Sequence, residues 1–274
     1  MHAALCLILL AVEATGLLAG KSAMSETSRV AVVTGASRGI GRAVALALAA
    51  AGAHVIALAR TQGALEELDD EIRKLRPDEP SPATLAPADL RDFAAIDRLG
   101  RVIFERWGRL DALVGNAGIL GPIMPLHHVD PRQWEDALAV NVTANWRLIR
   151  ALDPLLRASQ GGRVAMVSSG IGHRADFRAY WGPYAVSKAA LDALVRTYAA
   201  ETVNTSNIKV MAVNPGALRT AMRAEAMPGE DPMILRTPEE LAPKIVELCS
   251  LAWSETGKLY DFPRGEVLSF RAPA

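Results

Sequence analysis

Val30-Ala31-Val32-Val33-Thr34-Gly35-Ala36-Ser37-Arg38-Gly39-Ile40-Gly41 decides the fold. Val30–Thr34 has the length and β-branched content of a buried strand, and an apolar helical stretch at 40–51 follows the glycines. Between them the chain must turn sharply. Glycine removes the Cβ that would hold a ligand away from the backbone. The free N–H groups at a helix start attract phosphate. A glycine-rich turn can be only a tight turn, but between a first strand and a first helix it reads as a pyrophosphate site.

Outward from this unit the pattern repeats. Strands are expected at 55–59, 83–86, 110–115, 163–168 and 208–213, with a possible edge strand after Gly257. Helices are expected at 63–75, 93–107, 131–156, 184–203 and 241–253, the fourth of the six broken near its end by Pro154. The proline-rich stretch 77–87 reads as a loop carrying the short third strand. Strands alternating with longer helices imply an α/β, doubly wound, mostly parallel sheet with helices on both faces. In such sheets ligands sit outside the carboxyl ends of the strands, and every candidate residue below falls there.

Length and charge narrow the function. The 274 residues suit one domain, half are hydrophobic and the formal net charge is zero, so nothing marks a nucleic-acid footprint. Cys6 and Cys249 lie near opposite ends without metal-ligand spacing, and His127 and His128 adjoin no carboxylate or cysteine partner, so no metal is expected. That cysteine usage suits a cytoplasmic location. Residues 1–24 stand apart. An apolar run at 3–12 has no lysine or arginine before it, is followed by Glu13, and is too short for a stable membrane span. Three readings stay open there: translation starting at Met24, a cleaved or membrane-associating leader, and a structured extension. The domain itself is read as residues 25–274.

Tyr184-Ala185-Val186-Ser187-Lys188 opens a helical stretch. Residues four apart share a helix face, so the lysine ammonium can stand beside the phenol. A nearby cation stabilises phenolate and should lower the phenol pKa from about 10 toward neutrality. The hydroxyl would then give or take a proton at working pH.

Taken with Gly35-x-x-x-Gly39-x-Gly41 and Asn116-Ala117-Gly118, this pair resembles the short-chain dehydrogenase/reductase family in its compact single-domain, Rossmann-type branch. The stretch 178–237, with Trp181-Gly182-Pro183-Tyr184 and Arg219-Thr220-Ala221-Met222-Arg223, resembles the bacterial YciK-type oxidoreductases. The resemblance implies hydride exchange between a nicotinamide cofactor and a small carbonyl or alcohol substrate. Tyr184 would be the general acid and base. Lys188 would tune it and bind the nicotinamide ribose, Ser169 would orient the substrate oxygen, and Asn141 would hold a water chain to Lys188. Ser168 competes with Ser169, because the interval to Tyr184 is two residues longer than the family's usual one.

For the cofactor, the resemblance implies Gly35, Ser37, Arg38, Gly39, Ile40 and Gly41 at the phosphates, and Asp89 and Leu90 at the adenine. Asn116, Ala117 and Gly118 would line the adenine ribose side, and Pro215, Gly216 and Thr220 the carboxamide. Asp89 could instead cap the following helix. The second strand ends in Arg60 where NAD binders carry an acidic residue, and Arg60 with Arg38 suits a 2′-phosphate, so NADP(H) is favoured over NAD(H).

The substrate is expected to meet loops at 120–125, 170–181 and about 215–237, with Trp181, Phe177, Met222 and Met227 forming an apolar pocket or a subunit contact. A homodimer or homotetramer is expected, although Asp261-Phe262-Pro263-Arg264-Gly265 departs from the family's usual ending. Two other readings are a nucleotide-sugar epimerase or dehydratase, which shares the tyrosine and lysine, and a non-catalytic NADP sensor.

Overall fold

The computed structural model describes residues 28–79, 81–173 and 178–270. The strands are β1 Val30–Thr34, β2 His54–Ala59, β3 Ala83–Pro87, β4 Ala112–Gly115, β5 Arg163–Val167, β6 Lys209–Asn214, β7 Lys258–Asp261 and β8 Glu266–Leu268. They form one sheet ordered β3-β2-β1-β4-β5-β6-β7-β8, parallel except for the antiparallel β7–β8 pair. The order reverses at β1, beside β4, so the crevice for a ligand opens beyond Thr34 and Gly115. The helices are α1 Gly39–Ala50, α2 Gln62–Leu75, α3 Phe93–Trp107, α4 Pro131–Leu138, α5 Ala144–Ala158, α6 Gly170–His173, α7 Gly182–Thr202, α8 Ala221–Ala226 and α9 Pro238–Leu248. Of the readings made from sequence, the leader at 1–24, Cys6 and Phe177 lie outside the described residues.

Both sheet faces are dry, and the strand pleat divides the core between them. On β1, Ala31 and Val33 face a cluster with Val44 and Leu48 of α1, Leu65, Leu68 and Ile72 of α2, and Leu241 and Ile245 of α9. Val30 and Val32 face the other cluster, with Ile103 of α3, Leu148 and Leu152 of α5, and Leu191 and Val195 of α7. Burial on both faces explains why the strands read as continuous apolar runs rather than alternating ones.

Three expectations change. The stretch 131–156 is not one helix: a π-helical turn at Ala139–Thr143 separates α4 from α5. Pro154 does not end α5, which continues to Ala158. The proline ring lies on the exposed face, where the Arg150 carbonyl it leaves without a partner can turn to water. The last helix begins at Pro238, not Leu241, because Thr237 and Glu240 form a reciprocal capping box ahead of the apolar stripe. It ends at Leu248.

Candidate active site

At Gly35 and Gly41 the glycine turn is closed by atoms that leave no room for a Cβ. A Cβ on Gly41 would lie 2.2 Å from the Gly35 carbonyl oxygen and 2.5 Å from Asn116 Nδ2. Gly35, at φ +66°, occupies a conformation that side chains disfavour. The ends of β1 and β4 are tied by Thr34, whose hydroxyl accepts from the backbone N–H groups of Asn116 and Ala117, both at 3.0 Å. Asn116 Nδ2 donates to the Thr34 carbonyl at 2.9 Å. The predicted Asn116 thus braces the turn with its side chain, and Thr34 is a brace the sequence reading did not single out.

Helix α1 starts directly after this turn with no side-chain cap and no acidic residue in its first turn. Its N-terminal N–H groups suit an anion. Arg38 at its N-cap and Arg60 at the end of β2 are both exposed. Ser37 and Ile40 are part-buried in the turn between them. Asp89, beyond β3, does not cap the next helix: Asp92 does, accepting from Ala95 N–H at 3.0 Å. Asp89 instead accepts from the Arg91 backbone at 2.9 Å and its guanidinium at 2.7 Å, which holds its carboxyl below the usual carboxylate range. Leu90 points its side chain into the core, so only its backbone is left to a ligand.

Past β6, Gly216 has φ +69° and its N–H donates to Asn214 Oδ1 at 3.1 Å. A Cβ there would sit 2.4 Å from Pro263 Cγ. The unusual ending 261–265 therefore forms the β7–β8 turn and packs against this loop. Thr220 caps α8 through Arg223 N–H, and its methyl would lie 3.5 Å from a Cβ on Gly39. Pro215, Gly216 and Thr220 are thus at the same edge as the glycine turn. Arg223 of α8 and Glu230 beyond it form a double-contact ion pair, at 2.6 and 2.5 Å, across the predicted substrate loop.

Tyr184 and Lys188 share one face of α7, and Ser169 lies across from them, past β5. Ser169 and not Ser168 reaches the phenol. The Ser169 side chain acts on the Tyr184 phenol, lowering its pKa against the effect of burial, whereas Ser168 is buried with its hydroxyl turned toward the Lys188 carbonyl at 3.5 Å. Neighbours on extended backbone face opposite ways, so only one of the two can do so. The edge of the Trp181 ring meets the Tyr184 ring at 6.1 Å between centroids. Met222 and Met227 are part-buried on and after α8.

The expected lowering of the phenol pKa is not found. Burial pushes Tyr184 up, with the Ser169 hydrogen bond opposing. Lys188 is 3% exposed; its ammonium donates to the Val167 carbonyl at 2.8 Å and stands 5.6 Å from the centre of the tyrosine ring. Burial lowers the amine to about 8, with Asp192 opposing.

Asn141 sits in the π turn with its carboxamide fully used. Its Oδ1 accepts from Ile119 N–H at 2.8 Å, and its Nδ2 donates to the Ile119 carbonyl and to Ser187 Oγ, both at 2.9 Å. A Cβ on Gly118 would meet Asn141 Oδ1 at 3.2 Å and Lys188 Nζ at 3.5 Å, which places these three together. The Asn141 carbonyl accepts from Asn145 Nδ2 at 2.9 Å. Among the described residues no three His, Cys, Asp or Glu side chains form a metal cluster, and no helix is long and apolar enough to cross a membrane.

The chain is similar to known proteins. A family model for short chain dehydrogenase matches residues 29–231. The chain is 38% identical to the uncharacterized oxidoreductase YciK of Escherichia coli (strain K12), over 78% of this chain and 83% of that protein. It is also 38% identical to an uncharacterized NAD-dependent oxidoreductase of Mycobacterium tuberculosis (strain ATCC 25618 / H37Rv), over 73% and 75% of the two chains. A crystal structure of a short chain dehydrogenase from Escherichia coli CFT073 complexed with NADPH superposes with a TM-score of 0.78 at 37% identity, covering 85% of this chain and 95% of the other.

Proposed function

The chain belongs to the short chain dehydrogenase family, and from that premise we propose that it is an NADP(H)-dependent oxidoreductase interconverting a carbonyl and a secondary alcohol. The observation that carries the reading is the convergence of Tyr184, Ser169 and Lys188 on the strand edge that also holds the glycine turn. When bound, the nicotinamide supplies or accepts the hydride.

The remaining work falls to this chain. In reduction, Tyr184 Oη gives its proton to the carbonyl oxygen as hydride reaches the carbonyl carbon, leaving phenolate; oxidation runs the transfer backwards. Ser169 Oγ donates to the same substrate oxygen and orients it. Lys188 offsets the phenolate charge, and its ammonium would turn from the Val167 carbonyl toward the nicotinamide ribose. Asn141 holds the Ile119 backbone and Ser187 so that Lys188 keeps its path toward solvent.

The uncapped start of α1, with Gly35, Ser37, Gly39, Ile40 and Gly41, suits the pyrophosphate. Arg38 and Arg60 suit a 2′-phosphate, in line with the NADPH complex of the related structure, while the mycobacterial relative's name carries NAD. Asp89, Leu90, Asn116, Ala117 and Gly118 would meet the adenosine, and Pro215, Gly216 and Thr220 the carboxamide. Association as a homodimer or homotetramer belongs to the same reading, supported by Phe104 of α3 and Trp146 of α5, large apolar side chains exposed at 65% and 45% on adjacent helices.

The test is NADPH consumption across a panel of aldehydes and ketones, first by the natural sequence and then by variants. Tyr184→Phe should lose about 10²- to 10⁴-fold in kcat. Ser169→Ala should lose far more than Ser168→Ala. Full turnover by Tyr184→Phe would overturn the assignment.

A further inference from the structure

Helix α7 buries two opposite charges one turn apart. Lys188 and Asp192 are 3% and 4% exposed, and residues four apart lie on one face. The only hydrogen bond of the Lys188 ammonium among the described residues goes to a neutral group, the Val167 carbonyl. Both carboxylate oxygens of Asp192 are buried without a hydrogen bond. Among the described residues the one basic side chain within 4 Å of the Asp192 carboxylate comes from α6, where His173 Nδ1, itself buried and without a hydrogen bond, lies 3.6 Å from Oδ2. That contact is enforced by close packing: a Cβ on Gly172 would lie 2.8 Å from the Lys188 carbonyl carbon. A carboxylate buried in this way is costly to folding, and nothing in the core packing requires an acid there.

We propose that Asp192 is a positioning residue: its carboxylate is the counter-charge that keeps Lys188 in its ammonium form, while His173 shields it on the α6 side. Its use in catalysis rests on the reductase reading above; the charge relation itself does not. The groups that face this pair are few. Among the described residues, Tyr184 comes from α7 itself, His173 from α6, and from β5 the Val167 carbonyl. The π turn offers the neutral Asn141, bonded to Ser187. Arg196, a turn beyond Asp192, lies over the Phe270 ring at 5.4 Å.

Burial has already drawn the Lys188 amine down to about 8, with Asp192 the opposing influence. Without that carboxylate the amine would shed its proton close to neutral pH, and Tyr184 would lose the cation that supports its phenolate.

The chain has six lysines, Lys21, Lys74, Lys188, Lys209, Lys244 and Lys258, so ¹³C-lysine NMR of the full chain can follow each side chain against pH. The transition missing from Lys188→Arg is that of Lys188. Asp192→Asn should move it down by about one on the pH scale. Asp192→Ser, smaller and able to hold a water, should move it likewise and serves if the asparagine variant does not fold. Asp192→Glu should keep it close to its original place. An unmoved transition in a neutral variant overturns the proposal, and so does an equal downward move in Asp192→Glu, which would assign the effect to packing. Because the readout needs neither substrate nor cofactor, absence of turnover would count against the reductase reading alone.

Discussion

Lys188 should make the folded chain less stable than it could be, and by an amount that pH removes. Its amine is drawn from an ordinary 10.5 down to about 8 by burial, a value that already contains the attraction of Asp192. At about 1.4 kcal/mol per pH unit, holding the proton in the folded state costs about 3 kcal/mol. The amine is fully buried, so solvent screening does not reduce this much. Replacing it with methionine, of similar length and helix propensity, removes that cost but leaves the Val167 carbonyl without its donor, worth about 1 kcal/mol.

Lys188→Met should therefore gain about 2 kcal/mol at pH 7, or roughly 4 to 8 °C in Tm for a domain of this size, while losing the proposed activity. The sign follows from proton counting. Below pH 8 the lysine is protonated in both states and the cost is constant. Between 8 and 10.5 only the unfolded chain holds the proton, so the natural sequence gains stability as pH rises and the variant does not. The advantage should shrink toward zero near pH 10. Thermal unfolding of both ligand-free proteins from pH 6.5 to 10 checks it. A variant less stable than the natural sequence at pH 6.5, or an advantage independent of pH, would refute the reasoning.

Gly41→Ala should cost about 1 to 3 kcal/mol, because its Cβ would meet the Gly35 carbonyl at 2.2 Å and backbone there cannot yield cheaply. It should also weaken NADPH binding by calorimetry. Gly63→Ala in α2 meets nothing within 4 Å and should stabilise by up to about 1 kcal/mol, which makes it the control for glycine replacement as such. Arg60→Asp should lower kcat/KM for NADPH on the order of ten- to a hundredfold, the loss of one charge-assisted contact, and raise it for NADH. Equal efficiency of the natural sequence with both nucleotides would defeat the NADP(H) assignment.

The central sheet and its order of units were legible because both faces are buried, so β1, β2, β4, β5 and β6 read as apolar runs, whereas β8, short and exposed at the sheet edge, was not read. The glycine turn and the tyrosine-lysine pair were legible because each is set by local spacing. What escaped was set by contacts distant in sequence. Thr34 braces Asn116 and Ala117 from 82 and 83 residues away, and Pro263 packs on Gly216 from the far end of the chain. The choice between Ser168 and Ser169 needed the direction each side chain takes at the end of β5. The phenol pKa was misjudged for a related reason. Helical spacing puts lysine and tyrosine on one face, but where the ammonium goes depends on the Val167 carbonyl, which α7 alone does not reveal. Asp192 lay one turn beyond the quoted motif, and only its burial without hydrogen bonds sets it apart.

The helix starts at the glycine turn and ahead of Tyr184 are left without side-chain caps. Helices α3, α4, α8 and α9 have capping contacts from Asp92, Asp130, Thr220 and Thr237. Helices α1 and α2, which begin at the glycine turn and at Arg60, and α7, which begins just before Tyr184, have no side-chain cap. Tyr180, the one non-glycine residue at positive φ among those described, stands just ahead of α7. The buried charges of Lys188 and Asp192, neither of them hydrogen-bonded to a charged group, lie within that same helix. Each feature costs stability on its own, and departures from local rules concentrate where function needs them. A sheet sealed on both faces supplies the energy that lets one edge stay open to an anion, a proton and a second reactant.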